Sequence, residues 1–184
     1  SHLNNGRRSD LRRARKRADD LGEVEFEISC PSPDKLPSLL DEAFSVEERS
    51  WKGAEGTALA CDRQRGEFFR RYAAAVCNQG SLRLCFLRIS GRAVAMQIAV
   101  EQSRRLWLLK VGYDESYSRC SPGMLLTRET IAYAASRKLA GYEFLGTCAP
   151  WTSVWTDRKR ECVRLTVYPF SLTGISALTA DCCA

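Results

Sequence analysis

Three apolar runs follow one another closely in the middle of the chain, and their spacing constrains the fold more than any other feature of the sequence. The runs are Leu82–Ile89, Ala93–Val100 and Leu106–Val111, joined by Ser90-Gly91-Arg92 and by a short polar turn. Connections this short join antiparallel strands, because a parallel pair needs a crossover of about a dozen residues or more. The sequence therefore predicts an antiparallel meander of three strands.

The segments around the meander predict an α/β (α+β) fold with one mixed central sheet and helices on both of its faces. Apolar periodicity and turn residues place the other elements as a strand at 24–28, helices at 34–51, 63–77 and 121–139, a short strand at 142–145, and a last strand at 163–168. The helix that follows the meander would return the chain to a strand parallel to its neighbour.

The charge of the chain is concentrated at its N-terminal end. Residues 1–20 hold seven Arg and Lys against three Asp, while the whole chain has a formal charge of +6. We expect a basic N-terminal helix at 1–20, a globular domain at 21–170 and a tail at 171–184. A basic helix could bind nucleic acid, but a solvated helix face is the more ordinary explanation, and we do not expect a nucleic-acid partner.

The composition excludes several kinds of site and location. His2 is the only histidine, so no Ser-His-Asp or Cys-His triad and no histidine-based metal site is expected. The nine cysteines contain no CxxC pair, and we interpret them as small buried thiols in a reducing cytoplasm, with no metal bound. No apolar run reaches the roughly 20 residues of a membrane span, and no secretory signal is recognised. We therefore expect a cytoplasmic protein.

The start of the helix after the meander has the residues of an anion site. Ser121 is predicted as its N-cap, Pro122 suits its first turn, and Gly123 adds no side chain beside the unpaired N–H groups of the helix end. Such an N-terminus can bind a phosphate or pyrophosphate, although serine and proline also begin many helices that bind nothing.

In this order of elements and in this motif, the chain resembles the GNAT superfamily of N-acetyltransferases. A narrower resemblance, to the CelD-like (BcsL-like) acetyltransferase domain of bacterial polysaccharide gene clusters, covers about residues 7–169. It rests on "SWKG" (50–53), "LKVGYDESYSRCSPG" (109–123), "YEFLGT" (142–147) and "APWTSVWTDRKRECVRLTVYP" (149–169).

The resemblance implies acetyl-CoA, or another acyl-CoA, as co-substrate. Its pyrophosphate would bind at the start of the helix, and main-chain N–H groups of the strand before it would hold the acyl carbonyl. The residues assigned to the coenzyme in this way are Lys110, Val111, Gly112, Tyr113, Arg119, Ser121, Pro122, Gly123 and Met124.

The resemblance also implies a catalytic loop and an acceptor cleft. Tyr113 or Tyr117 is suited to protonate the departing thiolate, and Asp114 to act as base, with Glu115 and Glu101 as further possibilities. Trp51, Lys52 and Trp151 are predicted to line the site of a small-molecule amine, which the resemblance suggests is an amino sugar of a polysaccharide or cell-envelope precursor.

Two alternatives stay open at this point. Relatives carry a Tyr-Lys pair after the strand that ends in "FLG", where this chain has Trp151-Thr152. The chain could instead be a catalytically degenerate GNAT-like binding lobe, or a Fem-like transferase that uses aminoacyl-tRNA. A second GNAT-like lobe or a homodimer could complete the site.

Overall fold

The structure, a computed structural model, describes residues 3–146, 149–161, 163 and 165–182. Within these residues one sheet has the strand order β1-β2-β3-β4-β5, antiparallel from β1 to β4 and parallel between β4 and β5. This confirms the predicted mixed sheet and its central meander. The strands are β1 Val24–Ser29, β2 Leu82–Ile89, β3 Arg92–Gln102, β4 Arg105–Tyr113 and β5 Gly141–Glu143.

Helices cover both faces of the sheet, as predicted. One layer contains α2 and α4, which pack on β2 and β3, and the other contains α1 and α5. The helices are α1 Asn5–Asp19, α2 Leu36–Glu48, α3 Trp51–Ala54, α4 Arg63–Asn78, a 3₁₀ helix at Glu115–Cys120, α5 Pro122–Ser136 and α6 Leu172–Cys182. None of the helices described is long and apolar enough to cross a membrane.

The helix predicted at 34–51 is two helices in the structure. It ends at Glu48, and the hydroxyl of Ser50 accepts a hydrogen bond of 3.2 Å from the main-chain N–H of Lys52 and caps α3. The cap turns the chain, so that Lys52 leaves the line of α2 and lies against the sheet.

The buried face of α5 contains polar residues as well as apolar ones. Ala132 and Ala135 are exposed, and Thr127 and Thr130 face the sheet instead. The reason is the buried Gln97 on β3, which donates to the Thr127 hydroxyl at 2.9 Å and accepts from the Thr130 hydroxyl at 3.0 Å. Buried polar groups are tolerated where each finds a partner.

The prediction of a last strand at 163–168 is wrong for the residues described there. Val163, Leu165 and Val167 are 95%, 85% and 80% exposed and belong to no strand. An alternating pattern favours a half-buried pleated surface, and it forms a strand only where a neighbouring strand receives it. The predicted tail at 171–184 instead contains α6.

The interpretation of the cysteines as buried thiols is correct for half of those described. Cys77, Cys85 and Cys120 are buried, and burial raises the pKa of the Cys85 thiol to about 12. The exposed ones are Cys30, Cys61 and Cys182. Cys148, Cys162 and Cys183 lie outside the described residues.

Candidate active site

The site is built on the second half of β4, where the sheet opens. β5 pairs only with Arg105, Leu106 and Trp107, and β4 continues for six further residues to Tyr113. A bulge at Leu109 shifts the pairing with β3, so that Ala99 faces Leu108 whereas Ile98 faces Lys110. Beyond Trp107, the edge of β4 that pairs with β5 has no strand partner among the described residues, and we call the space along it the cleft.

The pairing register determines which main-chain groups of β4 face this cleft. The N–H of Asp114 donates to the carbonyl of Val94 at 2.8 Å, which makes these two residues a hydrogen-bonded pair. Hydrogen-bonded pairs alternate along an antiparallel ladder, so Gly112 and Lys110 also turn their main-chain groups toward β3. Val111 and Tyr113 turn theirs the other way, toward the uncovered edge.

Of the four residues predicted to hold the acyl carbonyl, only two direct their main-chain N–H groups toward the cleft. Val111 and Tyr113 present N–H groups at the cleft, whereas Lys110 and Gly112 are occupied by β3. A Cβ on Gly112 would lie 2.9 Å from the Cα of Glu47, so this glycine allows α2 to approach the strand closely. The side chain of Lys110 points to the same side, with its Nζ 3.3 Å from the Glu47 carboxylate.

The start of α5 adjoins the end of β4. Ser121 is the N-cap residue of α5, as predicted, but it has the left-handed φ of 48° and its side chain makes no capping hydrogen bond. Its main-chain N–H donates to the carbonyl of Ser118 at 2.9 Å, which closes the preceding turn. Pro122 is the first residue of α5, as predicted, and a Cβ on Gly123 would lie 3.3 Å from the Tyr113 ring. Met124 is half-buried on the α1 side.

The two candidate acids lie in different surroundings. Tyr113 is half-buried beside Gly123, and burial, with the nearby carboxylate of Glu115, raises the pKa of its phenol. A raised pKa keeps the phenol protonated at neutral pH. Tyr117 instead lies under the guanidinium of Arg92, 5.8 Å from its ring centre, on the side of the 3₁₀ helix that faces α1.

Asp114, the predicted base, is 3% exposed and hydrogen-bonded at both oxygens. Oδ1 accepts from the N–H and the hydroxyl of Ser116, and Oδ2 accepts at 2.8 Å from both Arg49 and Arg92. Burial alone would raise the pKa of this carboxyl, but these donors outweigh it and lower the pKa. The arrangement favours a structural role for Asp114, which anchors the loop after β4.

Glu101, the further candidate for a base, lies at the other end of the sheet. Its carboxylate accepts hydrogen bonds from Arg83, the Tyr133 hydroxyl and Arg137, and it pairs with Leu106 where β4 begins. This position is remote from the open half of β4.

An exposed groove between α1 and the 3₁₀ helix runs beside the start of α5. Arg17 donates to the main-chain carbonyl of Arg119 at 3.1 Å, and both arginines line the groove. Asp20 also lies in this groove, but no carboxylate of the described residues is ion-paired with either arginine. The groove lining is completed by Leu21, Ser116, Tyr117 and Cys120.

The residues predicted for the acceptor lie on two sides of the cleft. Trp51 is 51% exposed, and the Nζ of Lys52 lies 2.5 Å from the carbonyl oxygen of Val111 and 3.1 Å from the Glu47 carboxylate. Trp151 packs edge-on against Phe144, in the small apolar cluster that also contains Val111. The structure thus brings Lys52 and Trp151 to the same strand.

Glu47, which was not among the predicted site residues, is fully buried beneath this strand. Its carboxylate accepts hydrogen bonds from Lys52, Lys110 and the main-chain N–H of Leu59. The one available signal was a glutamate on the apolar side of a helix, next to Val46 and three residues after Phe44.

Comparison with known families assigns the chain to a class. Residues 5–153 match the family model described as the acetyltransferase (GNAT) domain, and the chain belongs to this family. It is a GNAT-type N-acetyltransferase, from a family that uses acetyl-CoA. The narrower resemblance to CelD-like domains stays a prediction.

Three solved structures with the same fold are described as acetyltransferases, and each has low sequence identity to this chain. A GCN5-related N-acetyltransferase from Ralstonia eutropha JMP134 is 16% identical with a TM-score of 0.56, covering 78% of this chain and 99% of that one. An aminoglycoside acetyltransferase from an uncultured soil metagenomic sample, in complex with sisomicin, is 11% identical with a TM-score of 0.52 and coverages of 81% and 97%.

An aminoglycoside N-acetyltransferase in complex with CoA is 9% identical, with a TM-score of 0.51 and coverages of 79% and 96%. Among curated protein sequences, none matches this chain significantly.

Proposed function

We propose that this protein transfers the acetyl group of acetyl-CoA to a small-molecule amine at the uncovered edge of β4. The observation that carries the proposal is the pair of N–H groups on Val111 and Tyr113, which face the cleft beside the start of α5. Donors fixed at this edge would stabilise the negative charge that develops on a thioester carbonyl when an amine attacks it.

The residues around the cleft fit the rest of the coenzyme. The start of α5 would bind the diphosphate at the N–H of Gly123, which carries no side chain, since Pro122 has no N–H and those of Met124 and Leu125 donate to the carbonyl of Ser121. Arg119 and Arg17 would add positive charge for the phosphates of the nucleotide. Tyr113, protonated and adjacent to this turn, would donate its proton to the departing thiolate.

The proposed acceptor is an amine on a sugar. Trp51 offers an exposed ring on which a sugar can stack, and Trp151 lies across the cleft. Structures of this fold include aminoglycoside acetyltransferases, one of them in complex with sisomicin, and aminoglycosides contain amino sugars. Acetyl-CoA is a cytoplasmic metabolite, and we place the reaction in the cytoplasm.

The first test is the melting temperature with and without about 1 mM acetyl-CoA, with CoA and ATP as controls. A ligand at about 100 times its Kd stabilises the native state by about 2.7 kcal/mol, which is several degrees for a domain of this size. We expect a shift with acetyl-CoA and CoA that is reduced in Gly123→Asp, because a carboxylate at this position repels the diphosphate. No shift with either coenzyme would contradict the proposal.

The second test is an acceptor screen that measures release of the CoA thiol with sisomicin, glucosamine and other amino sugars. Coenzyme binding without turnover of any amine would favour the degenerate binding lobe. Binding of tRNA that weakens steeply with salt, without a response to CoA, would favour the Fem-like transferase.

A further inference from the structure

We infer that Lys52 is the proton acceptor for the incoming amine, an inference that rests on the proposed function. The Nζ of Lys52 donates a hydrogen bond of 2.5 Å to the carbonyl oxygen of Val111. Because the main-chain groups of Val111 face the uncovered edge of β4, this contact places Nζ in the cleft itself, beside the N–H group proposed to hold the acyl carbonyl.

The side chain is held in place by a buried carboxylate. Glu47 is fully buried, and its Oε1 accepts from Lys52 at 3.1 Å and from Lys110 at 3.3 Å, while Oε2 accepts from the N–H of Leu59. One negative charge is therefore shared by two ammonium groups. Glu47 and Lys110 act as positioning residues, since both lie on the α2 side of the strand.

The surroundings also adjust the proton affinity of Lys52. Burial lowers the pKa of its ammonium, the Glu47 charge raises it, and Lys110 lowers it, with a net lowering. A base is most effective when its pKa lies near the working pH, and a lysine reaches that range by losing hydration.

The proposed step balances in protons and electrons. Neutral Lys52 takes one proton from the acceptor ammonium, and the amine nitrogen then attacks the acyl carbon. The C–N bond forms, the C–S bond breaks with its electron pair left on sulfur, and the thiolate takes the Tyr113 proton. The proton lost by nitrogen during attack restores Tyr113, directly or through solvent, and Lys52 releases its own proton to solvent.

The first experiment needs no acceptor. The intact protein is labelled with trace acetic anhydride between about pH 6 and 11, and acetylation of each lysine is followed by mass spectrometry. We expect Lys52 to become reactive at lower pH than the exposed Lys35, and CoA to slow labelling of Lys52 alone. Glu47→Gln should move the Lys52 midpoint to lower pH and Lys110→Gln to higher pH, because the two charges act in opposite directions.

The second experiment uses Lys52→Arg, which keeps the positive charge but cannot give up a proton. With sisomicin or glucosamine as acceptor, kcat should fall about 100-fold to 10,000-fold. The thermal shift with CoA should persist, and Lys35→Arg should behave as wild type. A thermal shift with CoA also shows that the Lys52→Arg variant is folded.

Three results would overturn the inference. They are a Lys52 midpoint equal to that of Lys35, a Lys52→Arg enzyme of nearly normal kcat, or labelling of Lys52 unchanged by a concentration of CoA that raises the melting temperature. Each of these leaves the proposed function standing. Absence of any CoA response would instead remove the proposed function, and the inference with it.

Discussion

The side-chain amide of Gln97 donates a hydrogen bond of 2.9 Å to the hydroxyl of Thr127, across the boundary between β3 and α5. The same hydroxyl donates to the carbonyl of Gly123 at 2.8 Å, in the first turn of the helix. The sheet is therefore connected, through two side chains, to the turn that we propose holds the coenzyme diphosphate.

Gln97→Leu should destabilise the protein by about 1–3 kcal/mol, because it leaves buried hydroxyl groups of α5 without their partner. Urea denaturation measures the loss. The matched control is Gln102→Leu, at the exposed end of the same strand, which should change stability by less than about 0.5 kcal/mol. Equal losses in the two variants would show that the buried network contributes nothing specific.

Asp114→Asn should cost about 2 kcal/mol near neutral pH, since it removes the charge that Arg49 and Arg92 share. The folded pKa of Asp114 is lowered, so its contribution is present above the unfolded pKa and is lost as pH falls through the folded pKa. The difference from wild type should therefore shrink in acid, below the ordinary value of 3.8.

Denaturation at several pH values tests this dependence, and Asp41→Asn is its control. Asp41 pairs with Arg70 at the surface, where ion pairs contribute about 0–1 kcal/mol. A difference between Asp114→Asn and wild type that stays constant down to about pH 3 would contradict the assignment.

Arg17→Gln and Arg119→Gln should each weaken CoA binding about tenfold, the effect of one lost phosphate contact of about 1.4 kcal/mol. Isothermal titration with CoA and with 3′-dephospho-CoA measures both Kd values and shows which phosphate each arginine contacts. Arg12→Gln, an exposed change on the same helix, should leave both unchanged. Equal effects of all three substitutions would indicate only a change in overall charge.

Tyr113→Phe should lower kcat about 10-fold to 100-fold while the KM for acetyl-CoA stays nearly constant, because the phenol is needed only when the thiolate departs. Tyr117→Phe is the matched control, since the Tyr117 ring lies under Arg92 in the groove between α1 and the 3₁₀ helix. Steady-state kinetics with sisomicin or glucosamine provide the comparison. A larger loss of kcat in Tyr117→Phe would assign protonation of the thiolate to Tyr117 instead of Tyr113.

The sheet could be predicted from sequence because its signals are local. Alternation in Val24–Ile28 and short turns around Ser90 and Gly91 act within a few residues, and they specify strands and their antiparallel order. Gly112 and Gly123 were also recognised as positions of interest. Their separate reasons, a close approach of α2 and an open helix start, required the packing of distant elements.

The chemistry of the cleft could not be predicted in the same way. Glu47 and Lys110 are 63 residues apart and meet only because α2 crosses β4. Ser121 begins α5 with a left-handed backbone, which is unfavourable for serine, and no pattern in the sequence predicts it. The choice of Val111 over Lys110 as a donor depends on a single register that includes the bulge.

The bulge at Leu109 changes which residues of β4, the even-numbered or the odd-numbered, face the α5 layer. Before it, Leu106 and Leu108 face the α5 layer, and after it Val111 and Tyr113 do, so even positions give way to odd ones. Leu109 and Lys110 both face the α2 layer, so the extra residue of the bulge changes the parity without turning any later side chain over. Deleting Leu109 should therefore leave Val111 and Tyr113 on the α5 side, whereas deleting Val111, beyond the bulge, should turn Tyr113 under α2 and abolish activity while leaving the meander foldable.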